Sequence, residues 1–188
     1  MSDELKETEN PETASEENSD VISSSFFKRR GLLAEFEFVT LQPSNTSGAT
    51  SIPLTTTPTT IASLTGDDAL NIFVVCSRVW LTATVGWQAI TNVGNKVDVL
   101  FKIFRDAPVT GPLIFSCRQS ANAAEENFET TTFTHVDLPL IPLNPCDDFH
   151  HPEKVSYFLT AELPLAGSQA NVIGPITFTG AQILPNFK

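Results

Sequence analysis

From Gly31 onward apolar and polar residues alternate with period two, the period of a β-strand with one buried face. "EFEFVTL" (35–41) sets Phe36 and Phe38 against Glu35 and Glu37 and predicts a half-buried strand. The Pro-, Thr- and Ser-rich stretch 43–68 has room for one or two extended edge segments, with "TTIASL" the best of them. In "LNIFVVCSRVWLTATVGWQAI" (70–90), Val79, Leu81, Ala83 and Val85 take one face and Arg78, Trp80, Thr82 and Thr84 the other. "KVDVLFKIFRD" (96–106) puts Val97, Val99, Phe101 and Ile103 on one face. The intervening "TNVGN" (91–95) reads as the longer loop of a hairpin between these two runs. Further strands are predicted at "PLIFSCRQ" (112–119), "NFETTTFTHVDL" (127–138), "KVSYFLTAEL" (154–163) and "NVIGPITFTGAQI" (171–183). Gly174-Pro175 marks a bulge or kink in the last of these.

About eight strands at intervals of roughly 10–15 residues, with turn signals between them, predict an antiparallel β-sandwich or jelly roll over 31–188. Helical periodicity is absent; "SANAAEEN" (120–127) has the composition for one helical turn but reads as a loop. The strong strands carry Val, Phe and Trp on both faces, so part of the outer surface should be covered, as when a partner subunit packs on it.

Charge divides the chain. Residues 1–20 hold eight acids and one lysine, a net −7 of the total −11, and leave −4 for all the rest. Residues 1–25 are rich in Glu, Ser and Asn and poor in large apolar groups, the composition of a disordered acidic tail. The short apolar–basic joint "FFKRRG" (26–31) follows it, so the tail and joint span 1–30. Without a basic field, phosphate-backbone binding loses its main driving force, and nucleic acid is not expected as a partner. The first residues lack the basic start and apolar stretch of a signal peptide, and no apolar run is long enough to span a bilayer.

Candidate chemistry concentrates in "CDDFHHPEK" (146–154), where Cys146, Asp147, Asp148, His150 and His151 crowd together. Cys146, Asp148, His150 and His151 are the ligand types of a metal site. Adjacent ligands rarely converge on one ion, however, and Pro142, Pro145 and Pro152 flank the segment, so it reads as a surface loop. Three cysteines without CxxC spacing give no disulfide framework. Cys76 and Cys117 lie in apolar runs as buried thiols, which leaves Cys146 as the candidate for a cross-link. A Ser–His–Asp triad can be drawn only on paper from His135, Asp137 and any of many serines, with His135 pointing opposite to Val136, toward solvent. The nucleophile-elbow pattern G-x-S-x-G is missing, and the nine glycines are scattered singly. The acid pairs Asp67-Asp68, Glu125-Glu126 and Asp147-Asp148 lie in loops, where solvated charge is the default. The Asn45-Thr46-Ser47 sequon reads as chance. No catalytic residue, cofactor or resident metal is expected.

In order, "SRVWLTATVGWQAI", "VLFKIFRD", "ETTTFTHVDL", "YFLTAEL" and "ANVIGPITFTGAQI" resemble the strand motifs of the exosporium protein C type of spore-surface protein from endospore-forming bacteria. The resemblance covers roughly 70–183 and omits both the acidic tail and the Thr-rich segment. It implies a non-enzymatic structural component of the exosporium or outer coat, made in the mother-cell cytoplasm without a signal peptide. The partners so implied are further copies of the chain, as a homo-oligomer, and other spore-surface proteins. Against the family pattern "LNPCDDFHHPEK" looks like an inserted loop. The rival reading is a surface module on the same fold that binds carbohydrate or another ligand. Exposed aromatics grouped on one face would favour it, yet Trp80 and Trp87 lie seven residues apart and would face opposite ways on one unbroken strand. A metal enzyme at 146–151 is the third and weakest reading.

Overall fold

A computed structural model describes residues 32–41, 45–72, 77–91, 96–123, 127–139 and 152–184. The acidic tail and joint (1–30), Cys76 and Cys146–His151 lie outside the described residues. The described chain is a sandwich of antiparallel strands, and its one helical feature is a 3-10 turn at Gly66–Asp68.

Eight strands have six residues or more: β1 (Leu33–Thr40), β3 (Thr59–Leu64), β5 (Arg78–Thr91), β6 (Lys96–Arg105), β7 (Leu113–Asn122), β8 (Asn127–Asp137), β10 (Tyr157–Glu162) and β11 (Gln169–Ile183). Three shorter ones, β2 (Ile52–Pro53), β4 (Leu70–Ile72) and β9 (Glu153–Val155), complete the described set. Sheet A runs β1-β11-β5-β8, with β2 also on β11; sheet B runs β3-β10-β6-β7; β4 and β9 pair with each other. Counting only the long strands in chain order, the sheets read 1-8-3-6 and 2-7-4-5, the strand order of a jelly roll.

Period-two alternation builds the core. Val79, Leu81, Ala83, Val85, Trp87 and Ala89 of β5 face Val97, Val99, Phe101 and Ile103 of β6 across the sandwich, all fully buried. Tyr157, Leu159 and Ala161 of β10 and Ile176 and Phe178 of β11 join them, so each central strand contributes its inner face to one continuous cluster. Trp87 donates its indole N–H to Thr131 Oγ1 at 3.0 Å, which satisfies the one polar atom its burial takes out of water. β11 bulges between Val172 and Ile176, at the Gly174-Pro175 step where a kink was expected.

Four expectations change. The hairpin across 91–95 does not form: β5 pairs with β11 and β8, while β6 pairs with β10 and β7 in the other sheet. Each strand has a mainly apolar inner face and lies at the centre of its own sheet, so the two belong to opposite layers of the sandwich. The run 70–90 is two elements, β4 and β5, and the run 154–163 divides into β9 and β10. Residues 120–122, expected to begin a loop, continue β7 as strand. In β1, finally, Phe36 and Phe38 face outward, 54% and 59% exposed, and Glu35 and Glu37 turn inward. The inward carboxylate of Glu35 accepts two 2.6 Å hydrogen bonds, from the Asn71 backbone N–H and side-chain Nδ2. Edge strand β1 can hold Glu35 inside because β4 brings these donors to it.

Candidate interaction face

Two features bear on function, a polar cluster inside the sandwich and a contrast between its two outer faces. Inside, Asp137 at the end of β8 lies between Arg105 at the end of β6 and Tyr157 at the start of β10. Arg105 Nη1 donates to both carboxylate oxygens, at 3.2 and 3.0 Å, and the Tyr157 hydroxyl donates to Oδ2 at 2.9 Å. Arg105 and Tyr157 are cross-strand partners in sheet B and Asp137 belongs to sheet A, so the cluster ties the two sheets together. Burial, with Asp137 beside it as a second cause, pushes the Tyr157 hydroxyl far above its ordinary pKa.

That geometry undoes the paper triad. Both oxygens of Asp137 are occupied by Arg105 and Tyr157, and His135 turns to a different partner. Its ring lies 5.3 Å from that of Phe115, which in turn stacks on Phe133 at 5.2 Å. His135 does point opposite to the exposed Val136, but that direction is inward and half-buried rather than solvent, because Phe133 and Asp137 share its side of β8. Cys117 is half-buried, and Gln119 Nε2 lies 3.4 Å from its sulfur. Asp67 and Asp68 are exposed in the 3-10 turn, as expected of solvated charge. Among the described residues no three His, Cys, Asp or Glu side chains converge as a metal site. The candidate ligands Cys146, Asp148, His150 and His151, and Cys146 as a cross-link, fall outside the described residues.

The surface feature is a contrast between the two outer faces. On sheet B charges of both signs interlock. Lys102 meets Glu162 at 2.6 Å, and Asp98 accepts from Ser120 Oγ at 2.6 Å with Lys96 and Arg118 3.5 and 3.7 Å away. The Ser120 hydrogen bond, aided by the two cations, holds the Asp98 carboxyl below its ordinary pKa. A depressed carboxyl stabilises the fold above its unfolded value of about 3.9, and that share is lost as pH falls through the folded value. Ser120→Ala is therefore expected to move the acid-unfolding midpoint slightly upward in pH, since it removes the roughly few tenths of a kcal/mol typical of a screened surface contact. Acid titration of both proteins by intrinsic fluorescence checks it; identical midpoints would show that the contact contributes nothing.

Sheet A is the opposite. Register places Phe36, Ala181, Trp80 and Val136 side by side across its outer face. The next row is Phe38, Thr179, Thr82 and Thr134, and the one after is Thr40, Thr177, Thr84 and Thr132. Thr84 and Thr132 hydrogen-bond across the strands at 3.1 Å, and the Phe36 and Phe38 rings stack 6.0 Å apart. Among the described outward positions of the four strands, Arg78 is the one charged side chain. Trp80 is 51% exposed while Trp87 is fully buried, so the two tryptophans do face opposite ways. Exposed Phe36, Phe38 and Trp80 nevertheless share one face. The outward residues of β5 are legible in sequence; their union with Phe36 and Phe38 needs the strand order.

No protein-family model matches the sequence, and no curated protein matches it. Among solved structures the chain is similar to an arabinose-bound GH51 α-L-arabinofuranosidase, with 11% identity and a TM-score of 0.39. The match covers 80% of this chain and 23% of that one, so the chain spans about a quarter of that enzyme's length. Among the described residues no helix is long and apolar enough to cross a membrane.

Proposed function

We propose that this protein is a non-enzymatic structural subunit that self-associates through its β-sandwich in a surface layer, the exosporium or outer coat of a spore. The observation that carries self-association is the outer face of sheet A, a four-strand surface with one charged side chain among its described residues, on a chain of net charge −11. Solvated sheet faces carry charge, as sheet B does, and a neutral face with exposed aromatics is the composition of a covered surface. The spore layer rests on the strand-motif resemblance alone. Homo-oligomers and other proteins of that layer are the partners proposed, with assembly in the mother cell and no cofactor. The buried Asp137–Arg105–Tyr157 cluster fits this reading, since its groups close on one another to hold the sheets together.

Grouping of Phe36, Phe38 and Trp80 on one face favours a second reading, a surface module that binds carbohydrate or another ligand. Size-exclusion chromatography with light scattering on the full chain, with and without reductant, separates the two. A stable oligomer or polymer is expected in both conditions. A monomer of 20.5 kDa throughout overturns the structural reading and moves the weight to glycan screening.

A further inference from the structure

We infer that the outer face of sheet A is covered by a second copy of this chain, with the Phe36–Trp80–Val136 row as its anchor and the threonine rows as the flatter surface beside it. The inference rests on the self-association reading and adds which surface does the work.

Three observations point to a second copy. First, the area suffices. Four strands about 4.8 Å apart, each presenting about ten residues at about 3.3 Å, make a face of about 650 Å². Two such surfaces bury about 1,300 Å², within the range of about 1,200–2,000 Å² for specific stable interfaces. Second, charge selects the surface. Copies of a chain with net charge −11 repel one another unless they meet where that charge is absent, and this sheet face is such a place. A foreign basic partner would find no acidic group here to hold, because the inward turn of Glu35 and Glu37 removes the acids of β1 from it. Third, the chemistry is graded as in an interface. Large apolar side chains crowd one end of the face around Trp80, the residue type most enriched at energetic centres, with exposed Phe128 and Ile90 at the other end, while Thr82, Thr84 and their neighbours between them offer small hydroxyl and methyl groups.

The test uses the full chain and three single variants: Trp80→Lys in the anchor row, Thr84→Lys in the threonine rows, and Ser116→Glu on the outer face of sheet B. All three sites point away from the core, so circular dichroism and the thermal transition should match the parent. Light scattering across a dilution series then reads the assembly. Trp80→Lys is expected to weaken association at least a hundredfold and to give a folded monomer, Thr84→Lys to weaken it no more than about tenfold, and Ser116→Glu to leave it unchanged. Parent oligomers that survive Trp80→Lys and Thr84→Lys intact would overturn the face assignment while leaving self-association standing. A parent that is itself monomeric overturns both. Collisional quenching distinguishes the remaining occupants. Trp80 fluorescence shielded in the parent oligomer and accessible in the dilute parent monomer supports a second copy. Shielding that persists in a monomer places another part of the same chain on the face, and a monomer whose Trp80 emission shifts with added oligosaccharide makes it a sugar platform; either result overturns the inference.

Discussion

Replacing Asp137 by alanine is expected to destabilise the sandwich by about 3–5 kcal/mol, the usual cost of removing one partner from a buried ion pair. The carboxylate accepts from the guanidinium of Arg105 and from the hydroxyl of Tyr157, and both side chains are largely enclosed. Alanine would leave the guanidinium with the exposed Asp106 carboxylate 3.7 Å away, strand the buried Tyr157 hydroxyl and loosen the tie between the sheets. A chain of this size responds with a fall in melting temperature of roughly 10 °C, readable by circular dichroism. The double variant Arg105→Met with Asp137→Leu removes both charges and should recover most of the loss, because well-packed apolar groups often replace a buried pair without penalty. Failure of the double variant to recover would mean that the pair fixes sheet geometry rather than only satisfying its own charges. Tyr157 supplies an independent readout, being the one tyrosine of the chain. Its folded pKa is raised, mainly by burial and further by Asp137. The sign follows: its stabilising share is complete below the unfolded value of about 10 and is lost as pH rises beyond it. Tyrosinate absorbance should therefore appear together with alkaline unfolding, whereas a separate titration in the folded state would contradict the buried hydrogen bond to Asp137.

Period-two alternation made most strands legible, since it reports directly which residues of a strand share a face. The inner sets Val79–Ala83–Val85 and Val97–Phe101–Ile103 are buried as that period requires. It does not report which strand lies beside which. Asn and Gly in 91–95 are equally compatible with a turn inside one sheet and a passage between sheets, so the hairpin was misplaced. Edge strand β1 misled for a different reason. Alternation assigns its phenylalanines to the core, but the faces of an edge strand are set by its neighbours, and Asn71 on β4 rewards Glu35 for turning in. The interaction face has the same origin. Arg78, Trp80, Thr82 and Thr84 read as one outward set in β5, but a nearly uncharged surface emerges only when β1, β11 and β8 are aligned on that strand. The partners of Asp137 are likewise hidden in sequence, because Arg105 and Tyr157 come from distant strands that only the fold brings together.

Gly86 is where the smallest change should do large damage. It lies in the middle of β5, beside the bulge that β11 makes at Gly174-Pro175. A Cβ built on Gly86 would overlap the carbonyl of Gly174 and come within 2.8 Å of the Pro175 nitrogen. The obstruction is backbone, which cannot swing aside as the end of a side chain can. Both strands sit at the centre of sheet A, so one of them must move and break its ladder with the other. Gly86→Ala is therefore expected to cost about 3 kcal/mol or more, the upper range for overpacking, and to lower the melting temperature by roughly 6–12 °C. Gly48 gives the comparison that isolates the cause. It has a positive φ of 76° but nothing within 4 Å of an added Cβ, so Gly48→Ala meets only a conformational penalty of about 1 kcal/mol. Equal losses at the two sites would mean that the bulge yields readily, and the close approach of β5 and β11 would then not be what demands glycine. A much larger loss at Gly86 ties stability to the bulge, and through the β5–β11 pairing to the rows of Trp80 and the threonines outside it. Unlike Trp80→Lys, Gly86→Ala should therefore reduce assembly only together with the thermal transition.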